Sequence, residues 1–149
     1  MSLDLPQAER LRLRLWLQML KATRHIEAEL REKLRLEHGT TLPRFDVMAA
    51  LERRPDGLKM SELSRRLMVS NGNVTGIVDR LVEDDLVVRV EVEGDRRATR
   101  VRLTDEGRAA FEAMAVQHAH WIQQFIDPLD DREVAETTAA LEKIRKVET

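Results

Sequence analysis

Residues 63–104 read LSRRLMVSNGNVTGIVDRLVEDDLVVRVEVEGDRRATRVRLT, and this stretch decides the fold. Over 71–84 the apolar residues Val74, Ile77, Val78 and Leu81 recur every three or four positions, the spacing of one helical face. Ser70 precedes them as an N-cap, its hydroxyl suited to an early unpaired N–H. Just upstream, a short helix at about 60–67 turns Leu63 and Leu67 inward, and Met68-Val69-Ser70 forms a tight turn. Downstream, apolar and charged residues alternate on both sides of Gly94-Asp95, as in the two strands of a hairpin. Short helix, three-residue turn, second helix and β-ribbon in that order predict a winged helix-turn-helix.

That arrangement has a chemical consequence. The second helix must be apolar inward, where the first helix props it, and small or hydrogen-bonding outward to enter a major groove about 12 Å wide. Outward fall Asn71, Gly72, Asn73, Thr75 and Gly76, with Arg80 a turn further on. Asn pairs with adenine, Thr contacts the thymine methyl, and Gly permits close backbone approach. Arg80 fits a phosphate better than a base. Glycine inside a helix costs about 1 kcal/mol relative to Ala, so Gly72 and Gly76 need a reason, and room against DNA is one. Ser-Asn-Gly-Asn is also ordinary loop and capping chemistry. The ribbon that follows tips the balance: Gly94-Asp95-Arg96-Arg97 at its tip suits a minor groove, where a narrow A·T tract concentrates negative potential. Glu91 and Glu93 read as a solvated, aggregation-resistant edge.

The flanks read as helices. Residues 9–36 begin with strand-like alternation at Leu11, Leu13, Leu15 and Leu17, but nothing before Thr23 is β-branched. The later steps Leu15, Met19, Ala22, Ile26, Leu30 and Leu34 are helical. The first half is apolar nearly all round, which predicts burial between several helices across a subunit boundary. Gly39-Thr40-Thr41 ends it, and Pro43 starts the next helix, which runs to Pro55-Asp56-Gly57. Thr104 caps a helix to about 126 that opens with Asp105-Glu106, acids suited to its dipole. The last helix opens at Leu129-Asp130, with Glu133 at the capping-box position and Val134 able to staple onto Leu129. The fold class is mainly α with a small β-wing.

Charge and composition exclude other classes. The 149 residues carry a net charge of −2. Residues 1–104 hold 20 basic and 17 acidic side chains, net +3, and residues 105–149 hold 5 and 10, net −5. The acidic end weighs against a general polyanion binder, not against a local basic patch within a Debye length. There is no Cys and no Tyr, hence no thiolate metal site, no thiol switch and a poor stacking platform for single strands. Arg10, Arg12 and Arg14 break any secretory h-region, and no run approaches a membrane span, so the expected location is the cytoplasm. His25, His38, His118 and His120 are scattered, and His118 and His120 point to different faces of one helix, a poor metal pair. No nucleophile motif or phosphate loop appears, so neither an enzyme nor a cofactor is expected. The competing reading is a winged-helix module that binds protein, which an acidic recognition face would favour. This face is neutral-polar with Arg80 beside it.

The run L-x-x-x-L-x-x-S-x-x-x-V-T-x-x-V-D-R-L (Leu63 to Leu81), followed by G-D-R-R-A-x-x-V-x-L-T-x-x-G (Gly94 to Gly107), resembles the MarR (multiple antibiotic resistance regulator) family of winged helix-turn-helix regulators. The likeness covers essentially the whole chain as a single domain, with a DNA-binding lobe at about 42–104 and dimerisation helices at about 9–36, 105–126 and 130–148. The resemblance implies that Asp95 orients Arg97 for the minor groove, beside Arg96. It implies that Ser70, Asn71, Asn73, Thr75 and Gly76 face the major groove of a pseudo-palindromic double-stranded operator. It further implies an obligate homodimer that represses a neighbouring operon until a small anionic or aromatic ligand binds. Candidate ligand-lining residues are Trp16, Arg24, His25, Phe45 and Met48. Arg10, Arg12, Arg14 and Arg24 suit an aromatic carboxylate or acyl-CoA, and the LRLWL and TTLPRFD stretches are similar to those of regulators of hydroxycinnamate-type catabolism. Two departures stand out: Lys59 where a capping Thr or Ser is usual, and Asp84-Asp85 where Lys-Gly or Asp-Gly is common, with Asp85 left to adopt the left-handed C-cap conformation.

Overall fold

The first helix, α1 (Gln7–His38), ends where Gly39 turns left-handed at φ 58°. In this computed structural model, which describes residues 4–67, 71–92 and 94–146, Thr41 then caps α2 (Leu42–Glu52) by accepting from the Arg44 N–H at 3.3 Å. Gly57, at φ 92°, leads into a two-residue strand, β1 (Leu58–Lys59). There follow α3 (Met60–Leu67), α4 (Asn71–Glu83), the hairpin β2 (Val87–Val92) and β3 (Asp95–Leu103), then α5 (Asp105–Ile126) and α6 (Asp131–Arg145). The predicted helices and ribbon are all present.

The sheet has three strands, not the two of the predicted ribbon. Its order is β1-β3-β2, antiparallel throughout, with Leu58 opposite Val101 and Lys59 opposite Arg100. A Cβ on Gly57 would lie 2.7 Å from the Val101 carbonyl oxygen, so glycine is needed both for its backbone conformation and for this close approach. The hairpin register shifts between Glu91 and Val92, where pairing passes from Thr99 to Asp95. The turn therefore sits at Gly94, φ 89°, and Asp95 already belongs to β3. Arg96 and Arg97 likewise lie within the strand, not at the turn itself.

One core joins the lobe to the long helices. Val74, Val78 and Leu81 of α4, Leu63 of α3, Leu51 of α2, Leu58 of β1 and Val101 of β3 are fully buried. Leu34 of α1 reaches the same core, as do Phe111, Met114 and Trp121 of α5. Of the helical stripe predicted along α1, the structure buries only Leu30 and Leu34. Leu11, Leu13, Leu15, Trp16 and Leu17 are exposed, and α6 buries none of its residues. Asp130 and Glu133 form the expected capping box. No helix among the described residues is long and apolar enough to cross a membrane.

Candidate nucleic-acid interface

The helix α4 is built with two unlike sides. At about 100° per residue, its buried stripe of Val74, Val78 and Leu81 leaves Gly76 almost diametrically opposite. Asn73 and Thr75 flank that line, Arg80 lies one turn further on, and all four residues are exposed. A Cβ on Gly76 would meet nothing within 4 Å. Nothing among the described residues demands glycine there, and at Gly76 the outward side of the helix is bare backbone. Ser70 lies outside the described residues, as do the side chains of Asn71, Asp95, Arg96 and Arg97. The backbone of the last three is placed in β3, beside the turn of the hairpin.

Ion pairs and caps fix how this helix is presented. Arg89 of β2 donates to the Asp79 carboxylate on α4, tying this helix to the ribbon. Ten residues and a helix-to-strand turn separate Arg89 from Asp79, so sequence spacing does not reveal the pairing. Arg44 of α2 donates to Asp84 at 2.6 Å and so clamps the C-terminal end of α4. Asp85 adopts φ 60°, the left-handed cap anticipated for it. Its N–H bonds the Val82 carbonyl, and that of Leu86 bonds Leu81, each at 3.0 Å, a Schellman closure. Lys59 also proves an adequate helix start. The Glu62 carboxylate reaches back to accept from its backbone N–H at 3.1 Å, half of a capping box. That hydrogen bond holds the Glu62 carboxyl below its usual range, helped by the neighbouring charges of Arg100, Arg54 and Lys59.

The five ligand-lining candidates fall in three different places. Trp16 and Arg24 are exposed on α1. His25 meets Phe125 of α5 edge-on, with ring centroids 6.2 Å apart. Phe45 and Met48 are buried, and Phe45 stacks on His118 at 4.6 Å and packs against Phe111 at 5.4 Å. Burial lowers the pKa of that His118. None of the five lines either depression beside α2. The smaller, of about 220 Å³, is walled by Glu27 and Arg31 of α1, by Leu42, Pro43 and Asp46, and by Leu67 and Ile77. The larger, of about 680 Å³, lies between α2, α3 and the end of α6.

Comparison with known proteins agrees with this construction. A family model described as the MarR family matches residues 38–98. The transcriptional regulator PecS of Dickeya dadantii is 32% identical over 104 residues, 68% of this chain and 63% of that protein, so the chain spans a little under two thirds of its length. A MarR family transcriptional regulator from Silicibacter pomeroyi superposes with a TM-score of 0.82 at 33% identity, over 97% of this chain and all of that one. A mutant MarR from E. coli, solved in complex with operator DNA, superposes with a TM-score of 0.77 at 26% identity, over 87% of this chain and 92% of its own. With lobe and long helices matched together, the chain belongs to the MarR family of DNA-binding transcriptional regulators.

Proposed function

We propose that the protein is a homodimeric repressor whose α4 reads a pseudo-palindromic operator and whose ribbon enters the adjacent minor groove. The observation that carries this reading is the bare outward position of Gly76 on α4, flanked by exposed Asn73 and Thr75 on a helix held against the ribbon by Arg89 and Asp79. Ser70, Asn71, Asn73, Thr75 and Gly76 face the major groove, Arg80 meets a phosphate, and Asp95 orients Arg97 beside Arg96. Dimerisation uses the long helices. Exposed Leu11, Leu15 and Trp16 on α1, Leu129 just before α6 and Ile144 within it supply the apolar surface a monomer rarely leaves open. The whole chain is then one domain with the lobe at about 42–104, working in the cytoplasm and doing no catalysis. Release from DNA follows binding of a small anionic or aromatic ligand, an aromatic carboxylate or an acyl-CoA, near Trp16, Arg24, His25, Phe45 and Met48.

The test is the salt dependence of affinity for the DNA upstream of its own gene. Each phosphate neutralised contributes about −0.9 to the slope of log K against log salt, so a dimer loses affinity steeply. A flat response would favour the protein-binding module instead.

A further inference from the structure

The larger depression beside α2 plays no part in reading DNA as described above. Its floor is apolar, made by Ala49, Ala50 and Leu67. Four arginines from three helices stand around it: Arg53 at the end of α2, Arg65 and Arg66 in the last turn of α3, and Arg145 in the last turn of α6. Against these four positive charges its described lining holds one acid, Asp46. Glu62 lies beside Arg65 and Arg66 in the next depression, but its carboxylate is engaged with the Lys59 N–H.

Basic residues at helix C-termini are common, because they offset the negative end of the dipole. That accounts for each arginine singly. It does not account for their convergence, nor for their idle donors. None of the four guanidinium groups forms an ion pair or side-chain hydrogen bond among the described residues, although each carries five N–H donors. Four like charges gathered around a single acid are unfavourable unless something more negative joins them. The space, about 680 Å³, is within the range of small-molecule sites.

We propose that this groove is a binding site for a phosphate-bearing small molecule, its phosphates held by Arg53, Arg65, Arg66 and Arg145 and its apolar part against Ala49, Ala50 and Leu67. Guanidinium forks match phosphate oxygens two at a time, which gives the cluster its selectivity over a singly charged carboxylate. A DNA backbone is the wrong occupant, since no described residue of α4 or the ribbon lines the groove. The ligand joins Arg145 on the C-terminal helix to Arg65 and Arg66 on the helix that supports α4. Occupancy therefore restrains the lobe relative to α6.

Calorimetric titration of the full chain with inorganic pyrophosphate at low salt reads the site without any DNA, so its outcome is separable from operator binding. The expected result is saturable binding, weakened at least tenfold in R65Q/R66Q and severalfold in Arg145→Gln, but unchanged in Arg132→Gln at the far end of α6. The proposal is overturned if no saturable heat appears, or if Arg132→Gln weakens binding as much as the others. It is equally overturned if R65Q/R66Q leaves pyrophosphate binding intact, or if the wild type ignores pyrophosphate while R65Q/R66Q flattens the salt slope for duplex DNA. That last result would assign the arginines to the DNA backbone.

Discussion

The Thr104 hydroxyl donates to the Asp85 carbonyl oxygen at 2.7 Å and accepts from the Gly107 N–H at 2.9 Å. One side chain thus closes the end of α4 and opens α5, linking the two helices. The Thr104 N–H adds a third tie, to the Leu86 carbonyl at 3.1 Å. Replacing the hydroxyl by a methyl of the same shape removes the first two and leaves an N-terminal N–H unpaired. Thr104→Val is expected to lower stability by about 1–2 kcal/mol, and Thr104→Ser to recover most of it. Equal melting curves for the valine and serine variants would show that the hydroxyl is not the tie.

Gly107 is fixed by the same junction. A Cβ there would lie 1.9 Å from the Leu86 carbonyl oxygen, a backbone atom with no rotamer to give way. Gly107→Ala must push α5 off the hairpin, and the expected cost is about 1–3 kcal/mol, the range for overpacking a tight site. Denaturant titration reads it directly; a neutral result would mean that α5 slides freely on the lobe.

Asp85 carries the opposite expectation. Its φ of 60° is unfavourable for a side chain with a Cβ, and no interaction of its carboxylate offsets that among the described residues. Asp85→Gly should stabilise the fold by about 1 kcal/mol through relief of this strain. Thermal unfolding should show a higher midpoint; a lower one would mean that the carboxylate has an unseen task.

The distinction between local and long-range causes explains what the sequence made legible. The stripe Val74, Ile77, Val78 and Leu81 and the Asp130–Glu133 capping box depend on residues within two turns of each other, so spacing alone reveals them. The strand at Leu58 and Lys59 is too short to show a period, and exists only because Val101 and Arg100 lie alongside. The pairing of Arg89 with Asp79 is invisible in the sequence because it spans a change of secondary structure. Phe45 and Met48 are buried, but their apolarity carries no information about what covers them, which here is the chain's own core. Trp16, by contrast, is exposed on α1, beyond anything its own chain packs against it. The groove arginines were counted only as net charge, since Arg53, Arg65, Arg66 and Arg145 meet only after three helices fold together.

Asp46 gives the fold a pH signature. Its carboxyl is pushed above the usual range by loss of water first and by the nearby Glu27 second, with Arg31 opposing. A raised acid pKa in the folded state means that the charged form is disfavoured there. The penalty is present at pH values above the folded pKa and disappears as pH falls through it towards the unfolded value. Asp46→Asn removes the charge and should raise the melting temperature at neutral pH, with the gap closing by about pH 3, below the ordinary aspartate pKa. A variant that melts lower than wild type at neutral pH would show that attraction to Arg31 outweighs the lost hydration.

Gly76 separates stability from function. With nothing within 4 Å of a Cβ at that position, Gly76→Ala introduces no clash inside the chain. Alanine also removes the entropic cost of glycine in a helix, so the variant should be more stable by about 1 kcal/mol. If α4 lies with this line against the base edges, the same methyl group holds the helix away from them. Operator affinity should then fall about tenfold, roughly 1.4 kcal/mol, while the fold gains stability. Paired thermal melts and fluorescence-anisotropy titrations on operator DNA measure both quantities in one preparation. A variant that is more stable and binds as tightly as wild type would mean that α4 presents another face to DNA, since no contact within the chain is left to account for the glycine.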